Sequence, residues 1–134
     1  MTAMLTDSRY AVGQVWTFAD APLPESRTII GALDDVEGLG LIVSICVTGM
    51  PVRDPASGGT QILGIDHAPM TPEGLDACLL ENVGSSEPTA SFEQLRKNWL
   101  SSIASDGAGA FSISVAELVG LYQTAIQKRL SSEQ

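Results

Sequence analysis

Basic residues are scarce in this chain: seven Lys and Arg stand against sixteen Asp and Glu, and the formal net charge is −9. A field of that sign repels nucleic acid and anionic membrane surfaces, so neither is expected as a partner. The only cysteines are Cys46 and Cys78. They form no CxxC pair and no zinc spacing, which excludes the common thiolate metal sites. Long apolar runs are also missing. The longest, around residues 39–47, is far too short to cross a bilayer as a helix. The opening residues 1–9 have no apolar core of a secretory signal, so a cytoplasmic location is expected. In such a reducing compartment Cys46 and Cys78 are expected to stay free thiols. The chain contains no GxSxG, HExxH, GxGxxG or GxxxxGK[ST] string, and no cofactor is expected.

What is present is the composition of a globular domain: 44% hydrophobic and 17% charged residues over 134 positions. A chain of this length buries roughly two-thirds of its unfolded surface and needs no disulfide or metal to fold. It therefore reads as a single domain over 1–134, with a flexible lead-in at about 1–9, a strand-rich zone at about 10–67 and a helical zone at about 71–130. Strands followed by helices without βαβ alternation imply an α+β fold. The charge follows the same division. Residues 1–88 hold twelve acids and three bases, and residues 89–134 hold four of each.

Strands are predicted over 12–18, 27–33, 39–52 and 61–67. The third is the strongest. Leu41, Val43, Ile45 and Val47 fall on one face and Ile42, Ser44, Cys46 and Thr48 on the other, as in a sheet covered mainly on one side. Asp34, Asp35 and Glu37 read as an acidic turn before it. The turn formers of 54–59 predict a long-looped hairpin between the third and fourth strands. Three helices are predicted. One starts at Thr71-Pro72 and carries Leu75, Cys78, Leu79 and Val83 on one stripe. The second has a capping-box pattern at Ser91 and Gln94, with Phe92, Leu95, Trp99 and Ile103 behind it. The third has a capping box at Ser114 and Glu117, ahead of Val115, Leu118, Val119, Tyr122 and Ile126. The expected architecture is a small, curled antiparallel sheet of about four strands followed by about three helices.

The lone histidine, His67, is the first candidate for chemistry. Asp66 beside it is no dyad partner, because neighbours in a strand point to opposite faces. One register of the predicted hairpin sets Cys46 opposite His67, the minimum for thiol catalysis. A register one residue away pairs Val47 with Ile65 and matches apolar faces better. A hydrogen-bonded strand-end histidine is the simpler alternative. The acidic turn of Asp34, Asp35 and Glu37 lacks the alternating oxygen ligands of a calcium loop, so no metal is expected there. It is a candidate binding surface for a basic partner. The glycine-rich segment 105–110 precedes a helix but lacks a phosphate-loop pattern; a helix connection explains it more simply. Trp16 and Trp99 sit at in-pattern positions and are expected in the core. The segments 50–52 and 68–70, each with a Met and a Pro, would form a soft apolar patch at one end of the sheet.

Four strings stand out in combination: GQVWTF at 13–18, LGLIVSICV at 39–47, HAPMTPEGL at 67–75 and GAGAFSISVAE at 107–117. Together they resemble a group of small, uncharacterised bacterial proteins with a GQVWxY/F opening and an FxISVAE ending. The resemblance spans about residues 10–126 and implies a bacterial cytosolic protein. It carries no activity and no catalytic residues. The group's pattern has a lysine where this chain has Ala108, which counts against an anion site there.

Two functions follow from the sequence. The first is a non-enzymatic protein-interaction module, such as an immunity or regulatory protein, whose acidic first two-thirds meets a basic protein partner. The second is a small enzyme or ligand-binding protein using His67 with Cys46 or Asp66. A third reading, from neither class, is a homodimer with a structural role.

Overall fold

Alternating apolar residues over about the first half of the chain build four of the five strands of a single antiparallel sheet. In the computed structural model, which describes residues 10–106 and 109–132, its strands are β1 Gln14–Phe18, β2 Arg27–Val36, β3 Gly40–Arg53, β4 Thr60–Met70 and β5 Leu79–Ser85. Their spatial order is β4-β3-β2-β1-β5, and the sheet is open. Three helices accompany it among the described residues: α1 Pro72–Asp76, α2 Phe92–Asp106 and α3 Val115–Ser132. The fold is α+β, with five strands rather than about four. The expected flexible lead-in at 1–9 lies outside the described residues.

The fifth strand corrects the predicted first helix. Thr71 does cap a helix: its Oγ1 accepts from the Gly74 amide at 3.2 Å, with Pro72 at the first helical position. The helix ends after Asp76, and the chain becomes β5. Leu75, Cys78 and Leu79 of the predicted stripe are buried, as one short helix followed by a strand also allows, whereas Val83, its fourth member, is exposed on β5. The edge of β1 decides between the two. It pairs with β2 on one side, and β5 supplies its partner on the other, with Phe18 opposite Leu79. Tertiary pairing overrides the local pattern.

Both sheet faces are covered, which revises the expectation of cover mainly on one side. Val43, Ile45 and Val47 pack with Trp16, Phe18, Ile30 and Met50 against Val115, Leu118 and Val119 of α3. On the opposite face Ile29, Ala32 and Cys46 pack against Phe92 of α2. Ser114 caps α3 as predicted; its Oγ accepts from the Glu117 amide at 3.1 Å. Trp16 and Trp99 are both in the core. The proposed soft patch is not on the surface, since Met50, Val52, Ala68, Pro69 and Met70 are buried.

Bulges bend the strands. Thr48 and Gly49 on β3 oppose Gly64 on β4, because Val47 pairs with Ile65 while Met50 pairs with Leu63. Gly49 has a φ of 72°, and a Cβ there would come within 2.9 Å of the Ser26 Cα. Only glycine combines that backbone with that approach. A bulge of this kind increases local twist and turns the strand.

Candidate functional site

The β3–β4 hairpin contains a second bulge. Ile45 pairs with Ala68, whereas Val47 pairs with Ile65, so Asp66 and His67 together oppose Cys46. The two registers weighed from sequence are therefore both used, one on each side of the bulge. Extra residues of this kind re-aim a side chain. His67 is brought to the face beneath α2, where its Nε2 lies 3.1 Å from the Ser44 Oγ. Above it lie the rings of Phe92, at 5.4 Å between centroids, and Trp99, at 5.8 Å. Trp99 is itself anchored by donating from Nε1 to the Gly109 carbonyl at 2.9 Å.

Helix α2 is held over this group by β2. A bulge at Gly31 separates the Ile30–Ile45 pair from the Ala32–Ser44 pair, and a Cβ on Gly31 would enter the Phe92 ring. Three residues on from Gly31, Asp34 receives the Arg96 guanidinium in a two-pronged contact, from Nε at 2.9 Å and from Nη2 at 2.5 Å. Such fork-on-fork geometry fixes orientation as well as charge. Arg96 also donates from Nη1 to Glu93 at 2.7 Å.

Burial, reinforced by the nearby Arg96 charge, pushes the His67 pKa down, against the smaller opposing effects of Asp34 and Glu93. Burial pushes the Cys46 thiol up, partly offset by hydrogen bonding to Thr89. At neutral pH the site thus holds a neutral imidazole and a protonated thiol. The thiol donates to the Asp66 carbonyl at 3.2 Å and lies 3.9 Å from the Thr89 hydroxyl. No thiol–imidazole hydrogen bond is present among the described residues. Asp66 is exposed and meets Cys46 through its backbone rather than its carboxylate. Cys78 is buried on the other face, donating to the Gly74 carbonyl at 3.3 Å.

The acidic turn is divided. Asp34 and Asp35 are the two residues before Val36, the last of β2, and the turn proper follows at Glu37. Asp34 faces α2 and is occupied by Arg96, whereas Asp35 and Glu37 are exposed beside Leu39, which is 40% exposed. Among the described residues no group of three or more His, Cys, Asp and Glu side chains is arranged to hold a metal. The segment 105–110 is only partly described, with residues 107 and 108 lying outside the described residues.

Sequence reasoning found His67 and Cys46 but missed Ser44, Phe92, Arg96 and Trp99 as their surroundings. The last three share one face of α2 by three- and four-residue spacing, so their grouping was visible. Their meeting with Ser44 and His67 required knowing which sheet face α2 covers. Compared with known proteins, the chain matches no family model, no curated protein and no solved structure.

Proposed function

We propose that this chain is a non-enzymatic protein-interaction module of the bacterial cytoplasm, an immunity or regulatory protein being one form, that docks a basic protein partner. The observation that carries this reading is the exposed tip of the β2–β3 hairpin. There Asp35, Glu37 and Leu39 are all exposed, while Asp34 just behind is committed to holding α2. An exposed apolar side chain close in sequence to two exposed carboxylates suits a partner whose cations fix register and whose apolar surface supplies contact. No helix among the described residues is long and apolar enough to cross a membrane, which is compatible with this placement.

The test is a pull-down from bacterial lysate at low and moderate salt, with wild type and an Asp35→Lys/Glu37→Lys variant run in parallel and bound proteins identified by mass spectrometry. A basic protein retained by wild type, weakened by salt and lost with the variant is expected. Equal recovery by both proteins would remove the hairpin tip from the reading.

One observation favours an enzymatic reading instead: Ser44 and His67 lie at hydroxyl–imidazole hydrogen-bond distance. Ser44 is fully buried beneath α2, however, so a substrate would have to displace the helix. Covalent labelling of Ser44 by a fluorophosphonate would establish that reading, and an unlabelled protein would dispose of it.

A further inference from the structure

A cleft of about 350 Å³ lies away from the His67 group, where the β1–β2 connection folds over the end of the sheet. It is lined by Thr17, Phe18, Ala21, Pro22, Leu23, Pro24, Ser26 and Arg27. Its size is within the range of small-molecule sites. The buried ring of Phe18 and the side chains of Leu23 and the two prolines make its apolar part. The prolines restrict the backbone, so the wall is largely formed before any ligand arrives. Ser26 ties the connection down: its Oγ donates to the Gly49 carbonyl at 2.6 Å and accepts from the Leu23 amide at 3.2 Å.

The polar groups of the cleft are unusual for this chain. Sixteen acids are spread along the sequence, yet none of the eight lining residues is acidic. Arg27 is half-buried, and its Nη1 donates to the Pro24 and Ser26 carbonyls at 2.8 Å each. Those two bonds fix the guanidinium against the cleft wall. They leave its Nε and Nη2 hydrogens without an acceptor among the described residues, and Arg27 forms no ion pair there. The Thr17 Oγ1 accepts from the Glu81 amide at 3.1 Å, which leaves its own hydrogen to donate. A preformed apolar cleft with donors, a fixed cation and no acid is complementary to an anionic acceptor on an apolar body. Guanidinium matches a carboxylate in a planar, two-pronged way.

We infer that this cleft binds a small monocarboxylate carrying a short aliphatic or aromatic tail, with the carboxylate on Arg27 and the tail against Phe18, Pro22 and Leu23.

The experiment is a titration of isotope-labelled protein, followed by backbone amide shifts, with hexanoate, hexanol, hexylamine and acetate as probes. Hexanoate is expected to shift the Thr17, Ala21, Leu23 and Arg27 amides saturably, and to bind about tenfold more tightly than hexanol, the difference of one charge-assisted contact. Acetate, lacking the tail, is expected to be weaker than hexanoate. Arg27→Gln is expected to lose about that same factor. Leu23→Glu places a competing carboxylate in the cleft and is expected to block hexanoate; it decides the matter if the Arg27 variant loses its amide dispersion. The inference is overturned if hexanol or hexylamine binds as well as hexanoate, if acetate does as well, if no amide shifts saturate, or if a folded variant binds hexanoate like wild type.

Discussion

Thr28 is fully buried, and its hydroxyl has no hydrogen-bond partner among the described residues. A buried hydroxyl left unpaired forfeits its hydration, so replacement by the near-isosteric valine removes a cost rather than a contact. Thr28→Val is expected to leave stability unchanged or raise it by up to about 1 kcal/mol, read from urea unfolding. A clear loss would mean that the hydroxyl is paired in solution. His67 has the opposite kind of sensitivity. An ordinary histidine titrates near 6.5, and here burial first and Arg96 second push the value down. The unfolded chain therefore takes up a proton before the folded one does. Stability from this group is complete above pH 6.5 and declines as pH falls between 6.5 and the lower folded value. His67→Gln is expected to flatten this part of the stability profile while lowering the whole curve. Wild-type stability that is level across mildly acid pH would contradict the burial of the imidazole. Asp66, Cys46 and His67 were each legible as candidates from sequence. The direction of the thiol and imidazole shifts was not, because both depend on the cover supplied by α2.

Caps and strand faces were the readable features of the elements. Thr71 and Ser114 both cap helices where the pattern placed them, because a cap is a local hydrogen bond between near neighbours. Ser114→Ala is expected to destabilise by about 1 kcal/mol through the loss of the bond to the Glu117 amide, measured by thermal or urea unfolding. The stretch after Asp76 was not readable. Its apolar spacing fits a helix or a short strand, and only the open edge of β1 selected the strand. Gly31 was equally silent in the sequence, although it sets how closely α2 approaches the sheet. Gly31→Ala puts a methyl group into the space of the Phe92 ring, so α2 must shift and the His67 group opens. A loss of about 1–3 kcal/mol is expected, with the largest amide-shift changes in α2 and β3. A fully neutral effect would show that Phe92 has room the structure does not give it.

At the scale of the whole molecule, net charge is the dominant quantity. A formal charge of −9 with few compensating bases makes the folded surface self-repelling. Moderate salt is expected to raise the melting temperature by screening that repulsion, since the screening length falls to about 10 Å at 0.1 M. A melting temperature that falls with added salt would instead point to ion pairs such as Arg96–Asp34 as the larger contribution. The sequence by itself determined the charge and its concentration in the first two-thirds, the α+β class, the helix caps at Thr71 and Ser114 and the alternating faces of β3. These follow from composition or from residues a few positions apart. Only the tertiary structure decided the fifth strand, the cover on both sheet faces, the division of the acidic turn and the meeting of Ser44, His67 and Arg96. Each of those depends on contacts between segments distant in sequence, and local spacing carries no information about which distant segment will arrive.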